Sequence, residues 1–382
     1  MLFPKRSRDR SHRIGLDIGS HTIKGVEVMD RGIERVIRSA GCAIIPNASA
    51  GSESTDDSAV VHAIRQLWSS ARFETNQVVM SLTSDAVHMK WLNLESSNAD
   101  ELDTIARTTA ARGAAFPVSD AVLDYRVLST RAVGSRSVHH TMLVAASSSA
   151  INRLLDMAQG AGLEPVAVDL GVSAAVRSFE ARDEHNDLLW GDQPRAHCII
   201  GAGSTVIAVV RQGKLEFART VPVGGNDFTQ CIMESLGVNW ETAERVKLGP
   251  SVHLTDEGVM IALHKDLEVR IRCGNLVNRL ARETIRSLRF FSSQFAEGSY
   301  LGMIGTVTLS GGGALIKGLD LCLRQHGIEV SGIVNPFSGF AVDSGGSGIS
   351  EVGDSATAFT TAVGLATTDH AWRATDSTAN AA

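Results

Sequence analysis

The feature that most constrains this chain is a motif that occurs twice. Gly15-Leu16-Asp17-Ile18-Gly19-Ser20-His21-Thr22 and His197-Cys198-Ile199-Ile200-Gly201-Ala202-Gly203-Ser204 share one shape: an apolar strand, a glycine turn, and small or hydroxyl residues leading into a second strand. The turns lie about half a chain length apart, as an internal duplication would place them. A glycine turn lets backbone approach a ligand closely, and its converging N–H groups suit phosphate oxygens. Either turn alone is an ordinary hairpin. Two matched halves imply a cleft.

Around the turns the hydrophobic period alternates between strand and helix, an α/β pattern. Ile14–Ile18, Ile23–Met29, Val78–Leu82, Thr141–Ala146, Val166–Leu170, Cys198–Val210 and Lys214–Val221 read as strands. Asp57–Ala71, Ala99–Ala115, Ser148–Gly160, Val238–Lys247 and Cys273–Phe295 read as helices. A polar linker, Asp183–Pro194, separates the halves. Late in the chain an apolar strand, Val307–Ser310, runs into Gly311, Gly312 and Gly313 and then a helix start. A flat base or a phosphate can lie against bare backbone there, although a triple glycine can also be punctuation.

Composition narrows the function. Of 382 residues, 36 are Lys or Arg and 42 are Asp or Glu, a formal charge of −6, which argues against non-specific binding of nucleic acid. Cys42, Cys198, Cys231, Cys273 and Cys322 are scattered, with no Cys-x-x-Cys pair, so a reducing compartment and no structural zinc are expected. His139 and His140 adjoin on a strand and point to opposite faces, a poor arrangement for sharing a metal. Met1–Arg13 is polar and basic, unlike a signal peptide, and the apolar runs are too short or glycine-broken for a bilayer. The expectation is a soluble cytoplasmic protein with loose ends.

Asp17 precedes the first turn and could hold a magnesium ion through water, while Lys24 could face either phosphate or solvent. Taken as a set, Leu16-Asp17-Ile18-Gly19-Ser20, Gly201-Ala202-Gly203-Ser204-Thr205 and Leu309-Ser310-Gly311-Gly312-Gly313 resemble the two phosphate motifs and the adenosine motif of the actin/Hsp70/sugar-kinase superfamily. Phe116-Pro117, Leu143-Val144-Ala145-Ala146, Val221–Asp227, Ala243-Glu244 with Lys247, and Glu283-Ile285-Arg286-Ser287 are further similar to the PilM family of actin-like type IV pilus assembly proteins, in the FtsA-like branch, over about 14–365.

That resemblance implies an actin-like, ribonuclease H-like duplicated fold with two lobes around a nucleotide cleft and an FtsA-type inserted subdomain. By it, 14–85 with 164–192 and about 340–366 form subdomain 1A, and 86–163 the insert, 1C. Residues 193–225 with 290–339 form 2A, and 226–289 form 2B; 1–13 and 367–382 are tails. It implies that Gly19, Ser20, His21 and Thr22, joined by Lys24, line the first phosphate loop, and Gly201, Gly203, Ser204 and Thr205 the second. Asp17 stands on the magnesium side, Glu244 and Lys247 lie near ribose and adenine, and Gly311, Gly312 and Gly313 lie under the base. On spacing alone, Glu244 and Lys247 are equally well an exposed i, i+3 pair. The implied cofactors are ATP or ADP with Mg.

One departure stands out: the superfamily places an Asp two residues before the first glycine of the second loop, and here that residue is Ile199. Losing it removes a water-orienting carboxylate, so binding with little or no hydrolysis is expected. The implied role is an adaptor of type IV pilus assembly or a related secretion system at the inner face of the inner membrane, docking the cytosolic tail of a PilN-like partner in a groove involving the insert and meeting other platform proteins. Contact with the membrane runs only through partners, and self-association is left open. Two alternatives remain: an active ATPase or kinase, with Asp169 or Asp227 as base, and an FtsA-like cell-division tether. The tether needs a C-terminal amphipathic helix, and Thr367–Ala382 offers no apolar face.

Overall fold

The duplication is written into the strand order. The computed structural model describes residues 12–31, 34–46, 56–113, 116–183, 193–265, 267–296, 299, 302–348 and 352–368. Most of the basic N-terminal tail, most of the 183–194 linker and the tail after Thr368 lie outside the described residues.

In the first half β1 (His12–Ile18), β2 (Thr22–Asp30) and β3 (Arg35–Ile44) form an antiparallel meander. After α1 (Asp57–Ala71), β4 (Gln77–Leu82) joins β1 in parallel. A branch follows: β5 (Val87–Ser96), α2 (Ala99–Gly113), β6 (Ala121–Val133) and β7 (Arg136–Ser147). The chain returns through α3 (Ser148–Gly160) to β8 (Glu164–Leu170) and α4 (Gly171–Asp183).

The second half repeats the scheme. Another meander, β9 (Arg195–Ile200), β10 (Thr205–Arg211) and β11 (Lys214–Val221), is followed by α5 (Gly225–Leu236) and α6 (Trp240–Lys247). Then come β12 (His253–Leu254), β13 (Val259–His264), β14 (Leu267–Arg272) and the long α7 (Gly274–Ser292). The chain ends with β15 (Val307–Ser310), α8 (Leu319–Gln325), β16 (Val330–Ile333), β17 (Ala341–Ser347) and α9 (Thr360–Ala366). One sheet runs β17-β3-β2-β1-β4-β8 and the other β11-β10-β9-β15-β16. With the edge strand β17 set aside the two orders are the same, meander first and parallel strands after.

Alternation along each strand stacks these parts in layers. Ile14, Leu16, Val78 and Met80 pack on α1 and α3 through Ile64, Leu67, Leu154 and Ala158. The opposite face of that sheet meets α9 and α4 in two clusters, one with Val26, Val28 and Ala362 and the other with Val79, Ala174 and Leu365. Beyond α4 lies the inward face of the second sheet, and its outward face carries Cys198, Ile200, Ile207 and Val209 into the largest core, under α5 to α8. Thus α4 and α9 lie sandwiched between the two sheets. The branch is a separate three-stranded sheet, β5-β7-β6, with α2 on one face through Leu102, Ala106 and Ala110. Its other face sets Leu128, Met142 and Val144 on the second half. The helix α3, within the stretch expected to be inserted, packs on α1 in the first core.

Several element limits move. The helix expected from Val238 starts at Trp240, because Asn239 caps it by accepting the Thr242 N–H at 3.0 Å. The helix expected over Cys273–Phe295 runs from Gly274 to Ser292. The three glycines lead into a single short 3₁₀ turn, Gly312–Leu315, and α8 begins only at Leu319.

His197 gives this core a pH dependence. It is buried, stacks on Phe179 with centroids 4.2 Å apart and shares a hydrogen bond with Thr308. Burial first, then the nearby Arg195 cation, lowers its pKa from the ordinary 6.5 to about 3. The unfolded chain therefore takes up a proton below about pH 6.5 that the folded one refuses, and stability falls with pH by up to about 1.4 kcal/mol per unit from this group. We expect His197→Gln, which stays neutral, to flatten that slope; urea midpoints at pH 7 and pH 5 for both proteins measure it.

Candidate functional site

The two turns are closed by the same bond. Gly19 N–H donates to the Thr22 carbonyl at 3.1 Å, and Gly201 N–H to the Ser204 carbonyl at 2.8 Å. A Cβ added at either glycine would lie 3.0 Å from that carbonyl oxygen, so a side chain would push the closing carbonyl back by a few tenths of an ångström. The tips, Ser20 and Gly203, are exposed and face each other: a Cβ on Gly203 would lie 3.6 Å from Ser20 Oγ. The duplicated hairpins thus converge across the two halves.

The segment 223–226 supports the second hairpin from behind. Gly225 N–H donates to the Gly201 carbonyl at 2.9 Å and Asn226 N–H to the Ala202 carbonyl at 2.8 Å. Gly224 is required by this approach, since its Cβ would fall 2.4 Å from the Ala202 oxygen. Thr205 is fully buried and its hydroxyl donates to the Val223 carbonyl at 2.7 Å, so it braces the loop instead of presenting a donor to a ligand.

Glu244 and Lys247 are not an exposed pair. Their side chains are 15% and 10% exposed, and Lys247 Nζ donates to Glu244 Oε1 at 2.5 Å, Thr229 Oγ1 at 2.7 Å and the Gly225 carbonyl at 3.2 Å. Burial pushes the Lys247 ammonium below its ordinary range, partly offset by the Glu244 charge. One helical face, at i, i+4 and i+7, joins them to Trp240, which sequence reading passed over although that spacing marks it. Its ring meets His21 of the first turn, centroids 6.3 Å apart, and its buried Nε1 finds no acceptor among the described residues. It is an orphan donor between the halves.

The three glycines differ. A Cβ on Gly311, where φ is +85°, would lie 2.4 Å from the Ile200 oxygen, and one on Gly313 would lie 2.3 Å from Ile200 Cγ2. Both are fixed by packing on the end of β9. Gly312 is exposed and a Cβ there would meet nothing within 4 Å, so it alone presents open backbone.

Asp17 stands on β1 opposite Lys24, Oδ2 to Nζ 3.9 Å, with a fifth of its side chain exposed. Burial pushes its carboxyl up, and the Lys24 charge pulls it partly back. An ammonium at that distance and a raised carboxyl both oppose an all-protein magnesium site. The equivalent cross-strand pair in the second hairpin is Ile199 opposite Val206. Both pack into the apolar seam of Leu170, Val172 and Val176 with Met142 and Val144. The first hairpin therefore carries charge where the second carries a hydrophobic joint.

Other carboxylates are committed elsewhere. Asp169 accepts from Arg177 Nη2 at 2.5 Å, and Asp227 accepts the Gly224 N–H at 2.8 Å as the cap of α5. His12, Glu27 and Glu74 form a three-ligand group, but at the far end of β1 from Asp17, and Arg38 bridges both carboxylates. His139 and His140 face opposite ways, His139 towards Ser96 and Thr130, His140 towards Asn93.

The model of the type IV pilus assembly protein PilM family matches residues 15–370. Among solved structures, the chain resembles the PilM-PilN type IV pilus biogenesis complex with a TM-score of 0.75 and 26% identity, covering 94% of this chain and 98% of that one. MreB 5 of Spiroplasma citri bound to AMPPNP matches at a TM-score of 0.47 and 15% identity, covering 93% and 95%. Cell division protein FtsA of Bacillus subtilis (strain 168) is 35% identical over 105 residues, which are 28% of this chain and only 22% of FtsA. No described helix is long and apolar enough to cross a membrane.

Proposed function

The chain belongs to the type IV pilus assembly protein PilM family and has its actin-like fold, and from that premise we propose that it is a nucleotide-binding scaffold of pilus assembly that docks a PilN-like membrane partner. The observation that carries the nucleotide reading is convergence: two matched glycine hairpins meet at Ser20 and Gly203, beside the open backbone of Gly312 and the buried Lys247. The residues fit ATP or ADP. The turns suit phosphate oxygens, Lys247 is held by Glu244, Thr229 and Gly225 directly behind the second turn, where it braces the loop, and Trp240 Nε1 is a buried donor with no acceptor among the described residues. A magnesium ion would arrive with the phosphates, with Asp17 reached through water.

In this reading the protein binds nucleotide with little or no hydrolysis. Ile199 occupies the place of the expected carboxylate, and Asp169 and Asp227, the alternative bases, are spent on Arg177 and a helix cap. The partner tail is assigned to a groove involving the branched sheet, which would hold the protein at the cytoplasmic face of the inner membrane. That sheet also touches the second half: Trp91 Nε1 donates to the Leu215 carbonyl at 3.0 Å, and Lys214 Nζ to the Leu128 carbonyl at 2.7 Å. Cleft closure that moves β10 and β11 would therefore bias the docking surface.

The test uses one purified sample: bound nucleotide released by acid and identified, phosphate release with magnesium, and affinity for a PilN-like tail peptide with and without ATP. We expect bound nucleotide, negligible turnover and a peptide affinity shifted about 5-fold or more by ATP. Turnover faster than about one per second would move the protein to the ATPase class, and equal peptide affinities would remove the coupling.

A further inference from the structure

Two of the scattered cysteines meet. Cys231 on α5 and Cys273, the cap residue of α7, lie with their sulfurs 3.6 Å apart, although 42 residues separate them. Their surroundings differ in a way that suits a thiol pair with divided roles. Cys273 is fully buried, whereas Cys231 is half-buried and its S–H donates to the Arg272 carbonyl at 3.4 Å, a bond it gives up on ionising. We propose that Cys231 and Cys273 are a peroxide-sensitive dithiol that closes reversibly to a disulfide, with Cys231 as the attacking sulfur and Cys273 as the resolving one. This inference is independent of the nucleotide reading.

The hydrogen bond from Cys273 pulls the Cys231 thiol below the ordinary thiol range and favours its thiolate, while the same bond and burial push the Cys273 thiol up. A disulfide has an S–S length of about 2.05 Å, so the sulfurs need to close by only about 1.5 Å. The chemistry balances with hydrogen peroxide as oxidant. The Cys231 thiolate attacks one peroxide oxygen, the O–O bond breaks, and the departing hydroxide takes a proton and becomes water, leaving a sulfenic acid on Cys231. The Cys273 sulfur then attacks the Cys231 sulfur, its proton leaves with the sulfenic oxygen as a second water, and the S–S bond forms. Two thiols lose two electrons and one peroxide gains them.

The other cysteines lack this arrangement. Burial raises the Cys198 thiol to about 12, Cys322 is buried and donates to the Thr255 carbonyl at 2.9 Å, and Cys42 is exposed on β3. Closing the pair would tie α5, which holds Thr229 against Lys247, to the start of α7.

The full chain, reduced and then treated with hydrogen peroxide, is alkylated, digested without reductant and mapped by mass spectrometry. We expect one linked peptide pair, Cys231 with Cys273, reversed by dithiothreitol and absent in Cys231→Ser. In Cys273→Ser, a sulfenic acid on Cys231 should persist and be captured by dimedone. Conversion of Cys231 to sulfinic acid without the linked pair, linkage of Cys273 to Cys322, or oxidation confined to Cys42 would each overturn the proposal. The first readout uses the unmodified chain, so a variant that fails to fold leaves the test intact.

Discussion

Gly364→Ala should destabilise the protein by about 3 kcal/mol or more, at the upper end of what overpacking costs. Gly364 lies on α9 where that helix crosses α4, and an added Cβ would sit 1.7 Å from the Ala174 oxygen and 2.3 Å from its carbonyl carbon. Both obstacles are backbone, so no rotamer change relieves them and one helix must retreat. Retreat is itself costly. The Gly364 carbonyl accepts from Arg177 Nε at 3.2 Å and Nη2 at 3.1 Å, and the same guanidinium neutralises Asp169. On its other side α9 meets β1 so closely that a Cβ on Gly15 would lie 1.9 Å from the Ala362 oxygen. This helix thus supports the strand that carries Asp17 and the first turn. Urea midpoints test the expectation, with Gly160→Ala as the control, because there the new Cβ would meet only Val61 Cγ2 at an ordinary 3.6 Å. A Gly364→Ala midpoint equal to that of the unmodified chain would show that α9 does not pack on α4 in this way.

Much of this architecture is legible before any coordinates, for a definite reason. The duplicated turn is local, so Gly19 and Gly201 announce themselves in single stretches of sequence, and Asp57–Ala71 and Ser148–Gly160 fall as their apolar stripes place them. Elements lying mostly on the surface gave no such signal. β5 buries only Leu94 and Ser96 and shows no clean alternation, and β6 alternates apolar with polar residues only over Leu123–Val127, a stretch whose apolar side chains are no more than partly buried, before it runs polar and exposed. In the site, the glycines were visible but not their division of labour. Only packing on Ile200 separates Gly311 and Gly313 from the open Gly312. Thr205 and Ser204 look alike as hydroxyls after a glycine, and only the fold turns the Thr205 hydroxyl inward to Val223. Contacts between residues distant in sequence, such as Ser20 with Gly203, His21 with Trp240 or Cys231 with Cys273, are set by topology, which no local pattern encodes.

The most informative substitution is Ile199→Asp, which should lower stability and raise phosphate release together. Ile199 is pseudo-equivalent to Asp17, each two residues before its turn glycine and each opposite a residue of the next strand, Val206 or Lys24. Where Asp17 has a lysine, Ile199 has the seam of Val172, Val176, Phe179 and Val334 around it. Ile199 is partly buried among these apolar side chains, so an aspartate there is partly desolvated in place of packing on them and costs about 1–2 kcal/mol. Burial would raise its folded pKa above the unfolded 3.9, so the folded variant binds a proton the unfolded one does not. The deficit should therefore shrink as pH falls from 7 towards 5, opposite in sign to the His197 effect. At neutral pH the fraction ionised supplies a carboxylate beside the second turn, able to orient water, and ATP turnover should rise at least about 10-fold over the unmodified chain. Ile199→Asn separates the two effects: it carries a similar packing penalty without a charge, and should lose stability with no gain in turnover. Equal turnover in all three proteins would mean that the missing carboxylate does not limit hydrolysis. A stable Ile199→Asp with no pH dependence would mean that position 199 takes no part in the seam between the branched sheet and the second half.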